Sequence, residues 1–276
     1  MSTAARATLP RTRWAVPVLA RSLRDSWRGQ LGWSLAITAV LGLYLPLFPS
    51  LQSPALTKLL SSLPRELVQT LGFNEIASGP GYTQATFFGL LGFALAAIAS
   101  ISWGTALIAS AEESGRLELV LAHGIGRAQY AVECAAALLV RVAALGAVAM
   151  LVILVLNGPS ELKLSAAHLS AAILAWTGLG FVLGATALAA GAAFGLRSWA
   201  IGAGTAVAVV GYGLDALGRT NAAFDWLWWL SPYHWAFGGS PLQNGFDWSG
   251  LGLLWGTSAA LVGVSVWALT RRDILG

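Results

Sequence analysis

Three neighbouring stretches decide the fold of this chain: TFFGLLGFALAAIASISWGTALIASA (residues 86–111), EESGRLELVLAHGIGR (residues 112–127) and AVECAAALLVRVAALGAVAMLVILVL (residues 131–156). The first and third are apolar, and each exceeds the roughly 20 residues that a helix needs to cross the bilayer hydrocarbon. The middle stretch, called the polar segment below, concentrates carboxylates and arginines. The order predicts two membrane-spanning helices joined by a polar connection.

The composition supports the same class of protein for the whole chain. Of 276 residues, 57% are hydrophobic and only 10% are charged, whereas soluble domains carry about 25% charged residues. A soluble globular fold is therefore excluded. The 32 glycines are typical of membrane helices whose backbones pack closely. A single cysteine, Cys134, excludes an internal disulfide and a cysteine-based metal site.

Six segments are long and apolar enough to span a membrane. We expect transmembrane helices over residues 31–48, 86–111, 131–156, 168–196, 199–217 and 250–270. Together they predict an all-α membrane protein in which residues 1–276 form a single domain. We also expect a short surface helix at residues 55–71 and a helical extracellular segment between the fifth and sixth transmembrane helices.

The N-terminal region carries an amphipathic pattern. Apolar residues recur at helical spacing, and arginines fill the opposite side; the apolar positions are Trp14, Val18, Leu19, Leu23 and Trp27. This pattern predicts an interfacial helix over residues 12–29, with its basic face toward anionic lipid headgroups. A disordered basic tail is the alternative.

The distribution of basic residues predicts the orientation. With six spans, both termini lie on one side, and that side would carry Arg6, Arg11, Arg13, Arg21, Arg24, Arg28, Arg116, Arg127, Arg197, Arg271 and Arg272. The other side would carry Lys58, Arg65, Lys163 and Arg219. Because positive residues concentrate on the cytoplasmic side, both termini and the polar segment are expected in the cytoplasm.

The polar segment has the pattern of a short amphipathic helix. Leu117, Val120 and Leu121 would form its apolar face at i, i+3 and i+4. Glu112 and Arg116 have the spacing of a favourable i, i+4 ion pair. Gly124 and Gly126 would end the helix. The residues alone leave two interpretations open: a solvated loop with a few salt bridges, or a docking element for another protein.

Beyond this pattern, the run EESGRLELVL (residues 112–121), followed by GIGR (residues 124–127), resembles the signature of ABC-2 type permeases. SGPGY (residues 78–82), SPYHW (residues 231–235) and GGSPLQNG (residues 238–245) are similar to stretches of the same family, and the Arg-Arg-Asp at residues 271–273 also fits. The resemblance covers nearly the whole chain.

The resemblance implies a six-helix permease subunit of an ATP-driven exporter. The preference for arginine over lysine and the many alanines and glycines indicate a bacterium, so we expect the chain in a bacterial plasma membrane. Two such subunits, identical or homologous, would associate with two copies of a separate ATPase. The polar segment would couple ATP hydrolysis to transport, Leu117 and Leu121 supplying docking area. The implied coupling residues are Glu112, Glu113, Gly115, Arg116, Leu117, Glu118, Leu121, His123, Gly124 and Arg127. The interfacial helix would correspond to the elbow helix of the family.

The chain has no site for ATP of its own. A P-loop requires Gly-x-x-x-x-Gly-Lys followed by Ser or Thr, but leucine follows both lysines, Lys58 and Lys163. We therefore expect no cofactor on this chain and ATP with Mg²⁺ on the partner. The few internal charges favour hydrophobic or amphipathic cargo, such as drugs, antibiotics or lipids.

Two further features invite a functional interpretation. Aromatic residues crowd the region before the last span and predict an extracellular gate or interface anchor, namely Trp226, Trp228, Trp229, Tyr233 and Trp235. Arg141 lies about ten residues into the third predicted span. It could line the transport pathway, latch onto Glu133 or the carboxylates of the polar segment, or extend to the interface. Asp215 and Arg219 are expected to form a local ion pair.

Other classes of function are less consistent with the residues. A transporter or channel that uses no ATP remains an alternative, although intramembrane acidic residues for ion coupling are scarce. An intramembrane hydrolase needs a nucleophile and a base within reach of each other. The histidines, His123, His168 and His234, lie in loops or at span ends and show no zinc-ligand spacing.

Overall fold

The computed structural model describes residues 16–51, 78–220 and 222–272. All regular secondary structure in these ranges is helical, which confirms the all-α prediction. The expected surface helix at residues 55–71 lies outside the described residues.

All six predicted spans are present as long apolar helices. Spans 1 to 6 run over Trp27–Leu51, Gly79–Leu107, Arg127–Asn157, Ala166–Phe194, Arg197–Gly218 and Trp248–Arg271. The chain is therefore a multi-pass membrane protein. Most predicted bounds agree to within a few residues, but span 2 begins at Gly79 rather than at residue 86.

Two spans contain irregular helical turns. Span 1 is an α-helix over Trp27–Tyr44, a 3₁₀ turn over Leu45–Leu47 and an α-helical turn over Phe48–Leu51. Pro46 explains the tightened turn, because proline cannot donate the helical hydrogen bond. Span 2 passes through a π-helical stretch, Gln84–Leu91, before its regular part over Gly92–Leu107.

Short helices flank the spans at both ends of the bundle. They are α1 (Pro17–Asp25), α2 (Ala109–Glu113), α3 (Arg116–Ala122), α4 (Pro232–Phe237) and α5 (Pro241–Asn244), with a 3₁₀ helix over Ala222–Leu230. The end that holds α1, α2 and α3 is called the proximal end, and the end that holds α4 and α5 the distal end. α1 occupies part of the predicted 12–29 helix and meets span 1 at Ser26.

Span 4 forms the centre of the bundle. In its apolar 18-residue stretch, 89% of the residues are buried, against 28% or less in the corresponding stretches of spans 1, 5 and 6. Small residues permit this position. A side chain at Gly104 of span 2 would overlap the carbonyl oxygen of Gly184, and a Cβ at Gly184 would lie 2.9 Å from the Ser100 carbonyl oxygen. The backbones of spans 2 and 4 therefore touch, as in other small-residue helix contacts in membranes.

Exposed aromatic residues mark the two boundaries of the bilayer. On span 6, Trp248 is 73% exposed and Trp267 58% exposed. The rise between them is about 28 Å at 1.5 Å per residue, which is close to the hydrocarbon thickness of about 30 Å. Trp27 and Tyr44 bracket span 1 in the same way. Tryptophan and tyrosine favour the headgroup level, so these pairs indicate where the membrane surfaces lie.

The contact between spans 2 and 4 predicts that Gly104→Ala destabilises the protein by about 1–3 kcal/mol, because the added methyl group overpacks a closed interface. Gly256→Ala is the matched control, since a Cβ there meets no atom within 4 Å, and alanine is the better helix former. Thermal unfolding in detergent measures both. Equal midpoints for the two variants would contradict the tight contact.

Candidate functional site

The polar segment forms two short helices rather than the single helix predicted for it. α2 ends at Glu113 and α3 begins at Arg116, with Gly115 between them at a φ of 70°. Glycine adopts this left-handed conformation without steric cost. Because the break separates Glu112 from Arg116, the expected i, i+4 ion pair does not form; the Arg116 Nε donates to the Ser114 Oγ at 2.9 Å instead. The predicted stop is confirmed, since α3 ends at Ala122.

Glu112 pairs with the far end of the chain. Its carboxylate accepts a hydrogen bond from the Arg272 guanidinium, directly after span 6, and both side chains are largely buried. The Arg272 carbonyl oxygen in turn accepts from Arg127 Nη1 at 2.8 Å, at the start of span 3. A side chain at Gly195, which follows span 4 with a φ of 72°, would collide with both Glu112 and Arg272. Spans 2, 3, 4 and 6 thus converge on one ionic cluster.

Glu113 caps the start of span 5. Its Oε1 accepts from the backbone N–H of Arg197 at 2.8 Å, in the first turn of that helix. The N-cap residue, Leu196, has no side chain that could serve this N–H group. A carboxylate at this position also complements the positive end of the helix dipole. Through Glu112 and Glu113, α2 is therefore bonded to two spans that are remote from it in sequence.

Leu117 does not lie on the exposed surface that its expected docking role requires. The apolar face with Val120 and Leu121 exists, but it faces the protein: Leu117 is fully buried, and the other two pack against the core. The outward surface carries Leu119, which is 64% exposed, together with Glu118 and His123. Helical periodicity identifies an apolar face, and the short connection to spans 2 and 3 decides that this face turns toward the bundle.

The ionic cluster predicts strong coupling between Glu112 and Arg272. We expect Glu112→Ala and Arg272→Ala each to lower the free energy of unfolding by about 1–2 kcal/mol, because each leaves a largely buried charge without its partner. The double variant should lower the free energy of unfolding by less than the sum of the two single variants. A double-mutant cycle by thermal unfolding measures the coupling. Strictly additive effects would show that the pair contributes nothing to stability.

Glu133 and Arg141 lie on span 3, and together they hold α1. The Glu133 Oε2 accepts from the backbone N–H groups of Val18 (2.8 Å) and Leu19 (3.0 Å), at the start of α1. The Arg141 Nη2 donates to the carbonyl oxygen and the Oγ of Ser22, both at 2.7 Å. A carboxylate at the N-terminal end and a guanidinium further along match the helix dipole. We call this arrangement the α1 clamp.

The α1 clamp replaces the latch that the sequence suggested. Among the described residues, Arg141 makes no ion pair with Glu133 or with the carboxylates of the polar segment. Its guanidinium instead lies 5.8 Å from the ring centroid of Trp103. Both clamp residues are buried, Glu133 at 4% exposure and Arg141 at 6%.

Arg141 also lies nearer the membrane boundary than its position in the apolar run suggested. Its carbonyl oxygen accepts from the Gln30 side chain at 3.3 Å, in the first turn of span 1. Span 3 has 31 residues and is therefore about 46 Å long, which exceeds the hydrocarbon thickness of about 30 Å. The first turns of span 3 extend beyond the start of span 1, so the guanidinium lies close to the proximal interface.

The α1 clamp predicts that Glu133→Ala loosens α1. Two backbone N–H groups would lose their acceptor, which costs about 1–2 kcal/mol and should raise amide exchange in α1 by about ten-fold. Glu133→Gln retains an acceptor oxygen and should have a smaller effect. Hydrogen–deuterium exchange measures both, with the exposed Glu118→Ala as control. Unchanged protection of Val18 and Leu19 would refute the clamp.

At the distal end, the aromatic residues divide into exposed and buried sets. Trp226 and Trp229 are 59% and 73% exposed, as expected of interface anchors. Tyr233 is buried, and its hydroxyl donates to the carbonyl oxygen of Gly89 in the π-helical stretch at 2.8 Å. Trp235 donates to the carbonyl oxygen of Trp229 at 3.0 Å. Tyr233 therefore bonds α4 to span 2, and the half-buried Trp235 bonds α4 to the 3₁₀ helix.

Asp215 joins span 5 to α4, a link that the sequence did not reveal. Its Oδ2 accepts from Arg219 Nε at 2.9 Å, which confirms the expected local pair. Its Oδ1 lies 2.7 Å from His234 Nδ1, and the ring of Trp228 stacks on the imidazole at 4.7 Å. The signal available in the sequence was an acidic residue at the end of a span, without any indication of its histidine partner.

Two ionisable groups of the distal loops have perturbed pKa values. Burial, with a smaller contribution from the nearby Asp215 charge, raises the pKa of Tyr233 above its usual range. At Asp247, burial alone would raise the pKa, but hydrogen bonds from Ser249 and from the Gly250 backbone together lower it. Asp247 is the N-cap of span 6, so its carboxylate stays ionised where it caps the helix.

Metal binding has no support in the part of the chain that the structure describes, where no group of three His, Cys, Asp or Glu residues could hold an ion. His123, His168 and His234 lie on separate elements. In comparisons with known proteins, no protein-family model matches this sequence and no curated protein matches it.

Proposed function

We propose that this chain is the transmembrane permease subunit of an ATP-driven ABC transporter, with ATP hydrolysis on a separate subunit that docks on the polar segment. The motif resemblance of residues 112–127 supports the family. Because the sequence contains no P-loop motif, the proposal assigns the ATPase, with its ATP and Mg²⁺, to another chain.

The observation that carries the proposal is the position of the polar segment in the bundle. Its outward surface, with Leu119 and Glu118, is available to a partner. Its inward surface is bonded to Arg272 after span 6 and to the first turn of span 5. A protein that moves this segment therefore acts on several spans at once, which is the mechanical requirement for coupling ATP hydrolysis to transport.

A groove between spans 2 and 5 supports hydrophobic or amphipathic cargo. It encloses about 400 Å³, and its walls include Phe93, Ala97, Ile101, Ala208 and Tyr212. Ligand sites of this size are mostly apolar, with a few polar groups that orient the ligand. Ser102, Thr205 and the Tyr212 hydroxyl provide such groups. Drugs, antibiotics and lipids fit this chemistry better than ions or sugars do.

The proposed assembly contains two permease subunits, either two copies of this chain or one copy with a homologue, and two ATPase subunits. The proximal end faces the cytoplasm of a bacterium in this arrangement, because Arg116, Arg127, Arg197 and Arg271 lie there. Transport then runs outward, toward the distal aromatic loops.

The docking surface gives a direct test. Leu119→Asp should reduce the amount of ATPase that co-purifies with the tagged chain by ten-fold or more, because a charge replaces an exposed apolar contact at the interface centre. Since Leu119 is exposed, the thermal midpoint of the permease should not change. Mass spectrometry identifies the co-purified P-loop protein, and ATP hydrolysis by the complex measures coupling.

Gln243→Asp, on the exposed surface of α5 at the distal end, is the matched control and should retain the ATPase. Leu117→Asp should instead prevent folding, because it buries a charge in the core. If wild-type protein brings down no ATPase and its transport continues without ATP, the ABC assignment is wrong. If wild-type protein brings down the ATPase and the Leu119→Asp variant retains it equally well, the docking surface is elsewhere.

A further inference from the structure

We propose that the corner between α1 and span 1 binds the headgroups of anionic phospholipids in the membrane leaflet at the proximal end. This corner, called the arginine corner, consists of Arg24, Trp27 and Arg28. The inference does not depend on the proposed ATPase partner.

Both arginines of the corner are exposed, and neither forms an ion pair with any residue that the structure describes. Asp25, the acidic residue of α1, pairs with Arg21 at 3.4 Å rather than with Arg24 or Arg28. Arg24 lies in the last turn of α1 and Arg28 in the first turn of span 1, on either side of the break at Ser26, and both are exposed. The two guanidinium groups at this corner provide the planar donors that phosphate oxygens accept from.

Trp27 places this charge at the level of the headgroups. It is 54% exposed, and it is the tryptophan that marks the proximal boundary on span 1. The Arg28 guanidinium lies 5.5 Å from its ring centroid, a cation–π distance. This contact holds the guanidinium group beside the ring, and because Arg28 is exposed its N–H groups remain available for phosphate.

The α1 clamp fixes the corner relative to the membrane. Glu133 and Arg141 bond to α1 on the side that faces span 3, and no residue of α1 is buried. The helix is therefore oriented by polar bonds and leaves its arginine side outward. An amphipathic helix with this orientation lies along the interface, where anionic lipids attract basic side chains.

The surface beside the corner suits a lipid better than it suits an acidic protein. Below Trp27, the exposed residues of span 1 are apolar, including Leu31 and Leu35 at 52% and 68% exposure. A ligand that follows this surface carries a negative head and an apolar tail. A second pair at the same end repeats the pattern: Arg271 lies 5.4 Å from the ring centroid of the exposed Trp267 on span 6.

Native mass spectrometry of the purified full chain tests the proposal. The protein is reconstituted in nanodiscs of phosphatidylcholine and phosphatidylglycerol in equal parts, released, and the ratio of the two retained lipids is measured. Wild-type protein should retain phosphatidylglycerol in excess. Each arginine near an anionic surface changes binding about five-fold, so Arg24→Gln/Arg28→Gln should lose most of the excess. Arg21→Gln is the matched control: because Asp25 already compensates the Arg21 charge, this variant should lose clearly less of the excess.

Three results would overturn the proposal. They are equal retention of both lipids by wild-type protein, an undiminished phosphatidylglycerol excess in the double variant, and an equal loss in the Arg21→Gln control. If the double variant does not fold, Arg28→Gln alone serves as the test. A phosphatidylglycerol excess in Arg28→Gln equal to that of the wild-type protein then refutes the proposal. A double variant that loses a co-purifying acidic protein but keeps its lipid ratio would likewise reject the lipid in favour of a protein partner.

Discussion

The backbone contact between spans 2 and 4 is the constraint on which the rest of the structure depends. It begins at Gly104 and Gly184, continues where a Cβ at Gly191 would lie 3.2 Å from that of Ala109, and ends where Gly195 leaves room for Glu112. One line of close approach thus runs from the bundle centre to the polar segment. Larger residues along it would separate the spans and move Glu112 away from Arg272.

Much of the fold was predictable because the membrane imposes a simple rule on sequence. Each span needs a long apolar run, and prolines, glycines and charges punctuate the runs. The all-α class and six spans followed directly. Span 2 was predicted too short because its first turns, Gly79–Thr83, contain the glycine and proline that usually indicate a loop.

The partners within the site were not predictable, since they lie far apart in sequence. Glu112 and Arg272 are 160 positions apart, and Glu113 and Arg197 are 84 apart. Local spacing favoured an ion pair between Glu112 and Arg116, but the left-handed Gly115 removes the helix on which that pair would form. Likewise, the periodicity of the leucines revealed a face without revealing that Leu117 points inward. The depth of Arg141 in the membrane depends on how far span 3 extends beyond the start of span 1. The sequence of span 3 alone does not determine that offset.

Span 5 is tied at both of its ends by carboxylates. At the proximal end, Glu113 bonds to its first turn, and at the distal end, Asp215 bonds to His234 of α4. The helix between them is about 33 Å long and contains no proline. Span 5 is therefore a continuous helix whose two ends are each bonded to a short helix at a different end of the bundle. It connects α2 at the proximal end directly to α4 at the distal end.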